Sequence, residues 1–561
     1  MMDISILITG QAGQGIQTVE KMLAGMLGAA GYNVFATKEY MSRVRGGANS
    51  TQIRISGERV RACTGRIDIL LVLDEGSVNR ISVRIKKDTL VIGEFSEGTA
   101  GKNERVGLTA LAKEIGNPVF ANVIASGIIL SLLGIKREMP EEYLKKAFGR
   151  KGEEIVGQNI KALEKGYENG ERILKSNSVP VVRPSGKQDK ELFINGTEAV
   201  GLGAIAGGCN FVASYPMSPS TGVLTFLAGK QKEHGIIVEQ AEDEISAVNM
   251  VLGAWYAGAR GMVTTSGGGF ALMEEGVSLA GMTETPIVIH LGQRPAPATG
   301  LPTRMEQADL NLALYAGHGE FPRIIFAPGK IEDAFSLTQK AFNLADKYQI
   351  PVFILTDQYF LDSYYNLPDF TGLKTENGKY ITETGNVYKR YKFTETGISP
   401  RGIPGYGGGL VRVDSDEHDE DGFITEDMGI RKKMVEKRWK KLPLIEKEVL
   451  TPEYHGEADF ENLVIGWGST YHVIKEALDT MGDKKTGFLH FRQVYPLGSE
   501  IKKYLGRVKK AAVIENNYSG QFADLIKLET GYEAGKIGKY DGLPFYVEDV
   551  AEKLTRFFRG G

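Results

Sequence analysis

Short apolar runs alternate with longer amphipathic segments along most of the chain, and glycine-rich turns separate them. Short apolar runs between turns predict buried strands, and apolar residues three and four positions apart predict helices. Predicted strands cover residues 4–9, 33–37, 69–73, 89–92, 210–214, 235–238, 261–264, 286–290, 351–356, 462–465, 487–491 and 511–515. Predicted helices cover residues 16–30, 121–133, 141–175, 197–207 and 245–254. Strands that alternate with helices predict an α/β protein with several parallel-sheet domains.

The length of the chain and its breaks in composition predict several domains. A chain of 561 residues is too long for one hydrophobic core. Proline, serine and glycine collect after residue 175, which predicts a linker at 176–190 between a first domain, 1–175, and a second, 191–361. Residues 362–458 are irregular and charged, and we expect them to pack on a partner. Residues 459–561 predict a last α/β domain.

Composition excludes several classes of function. The net charge of −3 makes nucleic acid an unexpected partner. The two cysteines, Cys63 and Cys209, are too few for a disulfide framework or a four-cysteine iron–sulfur or zinc site, and we expect no metal site in this chain. The first residues carry no basic leader, and no apolar run is long enough to cross a bilayer, so we expect no membrane partner and a cytoplasmic enzyme.

An acidic cluster in the middle of the chain is the first candidate site. Glu242, Asp243 and Glu244 follow a predicted strand and open a predicted helix, and a triple-glycine turn follows the next strand at 264–269. Ligands of open α/β sheets bind at such loop ends. The acids either complement the positive end of the helix dipole or include a catalytic carboxylate held against a cofactor.

Two further loops carry polar groups at predicted strand ends. Ser218, Ser220 and Thr221 follow the strand at 210–214, where Ser220 or Thr221 is expected to cap the next helix. Arg294 and Thr303 lie in a proline-rich loop after the strand at 286–290. An arginine there suits a carboxylate ligand, and an exposed, solvated arginine is the alternative.

Glycines near the start of the chain predict an anion site, and a later acidic run raises the question of a metal. Gly10, Gly13 and Gly15 follow a strand and open a helix, which suits a phosphate, although an ordinary turn without ligand is equally expected. The spacing GxxGxG is not the dinucleotide fingerprint. The basic stretch 38–47 also suits phosphates. The acids around His418 at 414–421 only loosely resemble a calcium loop, and a solvated loop or an intersubunit contact is favoured.

Six motifs, taken in order, resemble the α subunit of 2-oxoacid:ferredoxin oxidoreductases with the γ domain fused at its N-terminus. They are GQAGQG at 10–15, KEYMSRVRGG at 38–47, YPMSP at 215–219, EDE at 242–244, TSGGG at 265–269 and RPAPATGLPT at 294–303. The resemblance implies a γ domain associated with coenzyme A at 1–175, a domain at 191–361 that binds the pyrimidine of thiamine diphosphate (ThDP), and a transketolase-like C-terminal domain at 459–561.

The resemblance also implies roles for particular residues. Glu244, nine positions before Gly253, corresponds to the carboxylate that activates ThDP. The implied substrate contacts are Ser218, Arg294, Thr303 and Lys38. The implied ThDP contacts are Tyr215, Pro216, Thr265, Ser266 and Gly267. The implied cofactor contacts of the CoA-associated γ domain are Gly10, Gly13 and Gly15. Met217 and Ser218 stand where the family has isoleucine and threonine, which changes the pocket.

The chain lacks a GDG…N segment and cluster cysteines, so the resemblance implies a β subunit that brings Mg²⁺, the diphosphate site and a [4Fe-4S] cluster in an (αβ)₂ assembly. The implied reaction is oxidative decarboxylation of a 2-oxoacid to acyl-CoA and CO₂, with electrons passed to ferredoxin. 2-Oxoglutarate is the favoured substrate, and pyruvate, branched-chain and aryl 2-oxoacids stay open. A non-catalytic nucleotide- or CoA-binding regulator and a ThDP decarboxylase without redox chemistry are the rival classes.

Overall fold

The computed structural model describes residues 2–11, 14–41, 47–186, 191–373, 378 and 380–560. Two compact units contain them: the first comprises 1–194, 362–369 and 546–548, and the second comprises 195–361, 370–545 and 549–561.

The strands, in chain order, are β1 (Asp3–Gln11), β2 (Asn33–Glu39), β3 (Ala48–Ser56), β4 (Ile69–Val72), β5 (Leu90–Gly93), β6 (Lys102–Arg105), β7 (Glu191–Asn195), β8 (Phe211–Ser214), β9 (Ile237–Gln240), β10 (Gly261–Thr265), β11 (Ile287–Gln293), β12 (Ile324–Phe326), β13 (Pro351–Asp357), β14 (Tyr364–Pro368), β15 (Glu453–His455), β16 (Asn462–Trp467), β17 (Thr486–Phe491), β18 (Gln493–Tyr495), β19 (Lys510–Glu515) and β20 (Gly535–Gly538).

The helices are α1 (Ile16–Ala29), α2 (Leu108–Ile115), α3 (Ala121–Leu132), α4 (Glu138–Phe148), α5 (Glu153–Leu174), α6 (Gly196–Ala206), α7 (Thr221–His234), α8 (Glu244–Tyr256), α9 (Gly267–Phe270), α10 (Glu274–Thr283), α11 (Leu310–Tyr315), α12 (Ile331–Tyr348), α13 (Gln358–Asp362), α14 (Met428–Trp439), α15 (Leu442–Glu446), α16 (Thr470–Met481), α17 (Ile501–Leu505), α18 (Gln521–Thr530) and α19 (Val547–Arg559).

The first unit is built on one mixed sheet, in the order β6-β5-β4-β1-β3-β2-β14-β7. β1, β4, β5 and β6 pair in parallel, whereas β3 runs antiparallel to β1 and β2, and β14 antiparallel to β2. Alternate residues of β1 serve two cores: Ile6 and Ile8 pack with α1 and α3 on one face, and Leu7 packs with Val78 and Phe95 on the other.

The second unit contains two sheets. Seven strands, in the order β18-β12-β13-β11-β10-β8-β9, are parallel except for β18. Five strands, in the order β15-β17-β16-β19-β20, are parallel except for β15. The predicted α/β class is therefore confirmed, with antiparallel strands in addition to the parallel ones.

The structure departs from the predicted elements at several places, and β12 and the long helices α12 and α16 are among the elements that were not predicted. The helix predicted at 141–175 is two helices, α4 and α5. The α-helix is interrupted between Gly149 and Gly152, and Gly152 has a φ of 103°. The segment predicted to be irregular contains α14, and its first residues form β14 in the sheet of the first unit. β3 falls outside the predicted elements. The bounds predicted for the domains stay predictions.

Buried charges hold the irregular segment against the rest of the second unit. Glu284 ends α10 with a φ of 48° and a side chain only 1% exposed, and it forms ion pairs of 2.6 Å with Lys437 and 2.5 Å with Lys441. Arg390 donates to the Glu284 carbonyl at 2.7 Å. A buried carboxylate needs such partners. This charge network fixes α14 and the chain around residue 390 in place.

The acidic run 414–421 has structural partners of its own. Glu417 pairs with Arg438 at 2.9 Å, and the Asp419 carboxylate accepts hydrogen bonds from backbone N–H groups of Asp421 and Phe423. His418 is fully buried. Among the described residues, no group of three His, Cys, Asp or Glu side chains is arranged to hold a metal ion. The run is a loop with ion pairs and hydrogen bonds of its own, and its prediction as a solvated loop or an intersubunit contact stays a prediction.

Candidate active site

The acidic cluster at the start of α8 separates into three different environments. Glu242 is exposed, and Asp243 is the helix N-cap, whose carboxylate accepts a hydrogen bond of 2.7 Å from the Ser246 N–H. Glu244 is only 4% exposed and is the first residue of the helix. Asp243 therefore complements the helix end, and Glu244 is the acid that the fold withdraws from water.

Glu244 is arranged as a buried carboxyl group with one free oxygen. Its Oε1 atom is buried and has no hydrogen-bond partner within the described residues. Burial raises the pKa of Glu244, and the neighbouring Asp243 carboxylate adds to the rise. A buried oxygen without a partner is costly. The arrangement is typical of a site that a ligand completes.

The TSGGG motif forms a turn that closes on Glu244. β10 ends at Thr265, Ser266 is the N-cap, and Gly267–Phe270 wind into one helical turn rather than the open turn predicted. A Cβ atom at Gly269 would overlap both Glu244 Oε1 and Thr265 Oγ1. Only glycine at this position leaves room for the carboxylate beside the turn.

The substrate loops predicted from sequence meet at the ends of β8 and β11. Arg294 is 8% exposed and donates to the Ser218 carbonyl at 2.5 Å, which excludes the exposed, solvated alternative. Thr303 is 7% exposed and Tyr215 is 41% exposed. Ser220 occupies the N-cap position of α7, but its hydroxyl donates to the Met217 carbonyl at 2.8 Å and makes no cap hydrogen bond. The cap was predicted at the right position, although Ser220 bonds to a different group.

Asp309 and His290 are buried polar residues of the same region that sequence reasoning missed. Asp309 is 5% exposed, and a Cβ at Gly267 would lie 2.6 Å from its Oδ1 atom. His290 bridges Thr264 at 2.7 Å and Thr356 at 2.9 Å, and burial lowers its pKa to about 3, so it is neutral and structural. The position of Asp309 ahead of α11, in the same loop as Arg294, was the available signal.

Residues that follow β19 form hydrogen bonds with Gln307, which lies in the loop between β11 and α11. Its backbone N–H donates to the Asn516 carbonyl at 2.7 Å, its side chain accepts from the Asn516 N–H at 3.0 Å, and its carbonyl accepts from the Asn517 amide at 2.9 Å. Gln521 donates to the Ala308 carbonyl at 2.7 Å. The C-terminal α/β region thus sets the position of the loop that carries Arg294.

In the first unit, Gln14 and Gly15 line a cavity of about 370 Å³. Gly15 is the N-cap of α1, with a φ of 78° and no side-chain cap, so the backbone N–H groups at the helix start are open to an anion. The wall of this cavity includes Thr18, Thr109 and Asn122. Gly10 is the penultimate residue of β1, whereas Gly13 and residues 42–46 of the basic stretch lie outside the described residues.

Lys38, also in the first unit, belongs to a cluster of buried charges. Its ammonium lies 2.8 Å from Asp362. Burial lowers the pKa of Lys38, but Asp362 and Glu20 outweigh that effect, and the pKa is raised overall. Burial raises the pKa of Glu20 to about 7. Lys38 therefore keeps its charge, and Asp362 fixes its position.

ThDP fits the residues around the TSGGG turn. A pyrimidine ring offers a nitrogen to a carboxyl group, and Glu244 Oε1 is a buried, unpartnered oxygen. Ser266 Oγ and Asp309 Oδ2 are also buried without hydrogen-bond partners among the described residues. Three such atoms on and beside one turn indicate that the ligand is polar on more than one edge.

Family models and related proteins agree with this geometry. Residues 202–437 match the model for the thiamine diphosphate-binding region of pyruvate flavodoxin/ferredoxin oxidoreductase, and residues 5–169 match the pyruvate ferredoxin/flavodoxin oxidoreductase model. The fold and the site thus define a subunit of a ThDP-type oxidoreductase.

Full-length relatives identify the family within this class of oxidoreductases. The 2-oxoacid:ferredoxin oxidoreductase subunit alpha of Sulfolobus sp is 33% identical, over 100% of this chain and 98% of the relative. The 2-oxoglutarate oxidoreductase subunit KorA of Mycobacterium tuberculosis is 28% identical, over 99% and 91%. The chain belongs to the 2-oxoacid:ferredoxin oxidoreductase family, as an α subunit.

A solved structure supports the same assignment. The 2-oxoglutarate:ferredoxin oxidoreductase from Magnetococcus marinus with 2-oxoglutarate, coenzyme A and succinyl-CoA bound superposes with a TM-score of 0.91. It is 30% identical and covers 99% of each chain. The family resemblance based on the six motifs is therefore confirmed, and so is the prediction that the chain is a subunit of an enzyme. No helix in the described part of the chain combines the length and apolar character that crossing a membrane requires.

Proposed function

We propose that this α subunit, together with a β subunit, catalyses the CoA-dependent oxidative decarboxylation of 2-oxoglutarate to succinyl-CoA and CO₂, with electrons passed to ferredoxin. The observation that carries the catalytic part is Glu244, a buried carboxyl group with a raised pKa and a free oxygen beside Gly269. The names of the M. tuberculosis relative and the M. marinus structure favour 2-oxoglutarate. Pyruvate, branched-chain and aryl 2-oxoacids are the alternatives.

Glu244 is the proposed proton-holding group. When bound, ThDP supplies a carbanion that adds to the 2-oxo group and an electron sink for loss of CO₂. The role of Glu244 would be to share a proton with the pyrimidine nitrogen, and burial raises its pKa, which favours the protonated acid. Tyr215, Pro216, Thr265, Ser266 and Gly267 are the proposed cofactor contacts on this chain.

Arg294 is the proposed clamp for the substrate carboxylate, with Thr303 and Ser218 beside it. The guanidinium is buried and already oriented by the Ser218 carbonyl, so binding a carboxylate requires little reorganisation. Lys38 is the proposed contact on the route between substrate and CoA. Gly10, Gly13 and Gly15 are the proposed CoA-associated turn.

The remaining components are proposed for the partners. Mg²⁺, the diphosphate site and a [4Fe-4S] cluster are assigned to the β subunit, because this chain has two cysteines and no GDG…N segment. The expected assembly is (αβ)₂, working in the cytoplasm, where CoA and ferredoxin are available.

The test is to co-purify the α–β complex and measure CoA-dependent reduction of a low-potential acceptor with a panel of 2-oxoacids. We expect 2-oxoglutarate to give the highest kcat/KM. Release of CO₂ without dependence on CoA or acceptor would instead indicate a decarboxylase, and no turnover of any 2-oxoacid would favour a regulatory protein.

Glu244→Gln tests the proposed catalytic group within that complex. The amide cannot exchange a proton, so turnover should fall by about 10²–10⁴-fold while the complex still assembles. Glu242→Gln is the matched control, since Glu242 is exposed and two positions away, and it should keep the normal rate. Calorimetric titration with ThDP gives a second measurement that does not depend on turnover.

A further inference from the structure

Asp309 has the geometry of an unassigned ligand contact. It lies between β11 and α11, is 5% exposed, and makes no cap hydrogen bond to α11. Its backbone N–H donates to Gln293 at 3.0 Å, which fixes the residue, while Oδ2 has no hydrogen-bond partner among the described residues. The backbone of Asp309 is held in place, and a buried carboxyl oxygen is left for a ligand to bind.

The same carboxyl group lies within the candidate active site. Both of its oxygens, Oδ1 and Oδ2, would lie 2.6 Å from a Cβ atom at Gly267, and the positive charge of Arg294 acts on the carboxyl group. Ser266, which precedes Gly267, has a fully buried hydroxyl that is also unpartnered among the described residues. Two unpartnered polar atoms beside Gly267 indicate a polar ligand at this point.

The charges around Asp309 favour its neutral form. Burial, helped by Glu306 in the same loop and opposed by Arg294, raises the pKa of Asp309 to about 7. Glu244 lies on the other side of the turn, against Gly269. The turn itself and Gln521 from α18 present no titratable group. The group is therefore a carboxylic acid below pH 7 and becomes a carboxylate above it.

We propose that Asp309 is a further substrate-binding residue that acts as a neutral acid, donating a hydrogen bond from its free carboxyl oxygen to the substrate carboxylate that Arg294 clamps. This inference rests on the proposed function. A neutral Asp309 leaves the positive charge of Arg294 available to the substrate, whereas an ionised Asp309 would compete for the guanidinium and repel the incoming carboxylate. A hydrogen bond from a carboxylic acid to a carboxylate is short and strong.

The first test is the pH dependence of KM for 2-oxoglutarate in the α–β complex. The wild-type KM should be flat below pH 7 and rise above it, by up to about tenfold per pH unit, because only the neutral acid binds. Asp309→Asn keeps a donor that does not ionise, so its KM should stay near the low-pH value up to pH 9. Asp309→Ala should raise KM at every pH with a smaller change in kcat.

The second test measures the proton directly. 2-Hydroxyglutarate carries the same carboxylates but no carbonyl to attack. Its binding, measured by calorimetry at pH 8 in buffers of different ionisation enthalpy, should take up close to one proton per site in the wild type and none in Asp309→Asn. Glu306→Gln removes a nearby negative charge and should move the rise in KM to lower pH, which keeps the inference testable if Asp309 variants fail to assemble.

The outcomes separate this inference from the function on which it rests. A rise in KM near pH 7 that persists in Asp309→Asn, or equal proton uptake in both proteins, would overturn the role of Asp309. In that case normal turnover of 2-oxoglutarate and a raised KM in Arg294→Ala would leave the proposed function standing. Absence of 2-oxoacid turnover in the wild-type complex would overturn the proposed function itself.

Discussion

Gly269→Ala tests whether the glycine turn sets the position of the catalytic carboxyl group. The added methyl group would overlap Glu244 Oε1 and Thr265 Oγ1, whereas ordinary carbon contacts begin near 3.4 Å. One of the groups must therefore move by about 1 Å, and overpacking of this size costs about 1–3 kcal/mol. A misplacement of about 1 Å at a reacting group costs about 10²-fold in rate. We expect kcat to fall by that factor in a protein that still folds.

The measurement combines turnover of the α–β complex with chemical denaturation of the variant chain. Gly229→Ala is the control, since the new Cβ meets nothing within 4 Å in the interior of α7. It should leave the rate unchanged and stabilise the chain by up to about 1 kcal/mol. A Gly269→Ala enzyme with normal kcat and normal stability would refute the proposed position of Glu244.

Three other variants test separate parts of the chain. Arg294→Ala should raise KM for the 2-oxoacid by about 10–100-fold with less change in kcat, from a lost charged hydrogen bond of about 1.5–3 kcal/mol; an unchanged KM would remove it from the site. Glu284→Gln should destabilise the chain by about 3–5 kcal/mol in urea, because Lys437 and Lys441 stay buried without a counter-charge. Burial by itself raises the pKa of Glu284, but the two lysines outweigh burial and hold this pKa below its usual range. The loss of stability in Glu284→Gln should therefore be seen above pH 5 and shrink as the pH falls. Gly15→Ala should weaken CoA binding, measured by calorimetry, since the methyl group would displace the Asn122 amide; Gly134→Ala, with a similar φ and open space, should not.

Much of the fold follows from local sequence, because buried parallel strands read as short apolar runs. β4 and β13 lie within one residue of their predicted bounds. The helix predicted at 141–175 was wrong because amphipathic spacing continues across the break at Gly152. β14 could not be predicted, since its partner β2 lies more than 300 residues earlier and strand pairing over that distance leaves no local signal.

Residues of the candidate site could be predicted where the residue type suits a ligand and the residue also follows a predicted strand. Arg294 and Glu244 follow strands at the carboxyl edge of a parallel sheet, where ligands bind. The position of the acids at a helix start did not separate Glu244 from Glu242 and Asp243, because burial and capping depend on the packed helix; the family resemblance chose Glu244 through its spacing to Gly253. Asp309 was missed for the same reason: its exposed fraction and its contact with Gly267 come from tertiary packing.

On the role proposed for Arg294, the bonds that join Gln307 to Asn516 and Asn517 would give the C-terminal region a part in substrate selectivity. A change at Asn517 touches no reacting atom, yet it would loosen the loop that carries both Arg294 and Asp309. Substitutions at Asn516, Asn517 or Gln521, far along the chain from the TSGGG turn, would then change substrate preference without touching the substrate. Exchanging the C-terminal region between two relatives would transfer part of their selectivity with it.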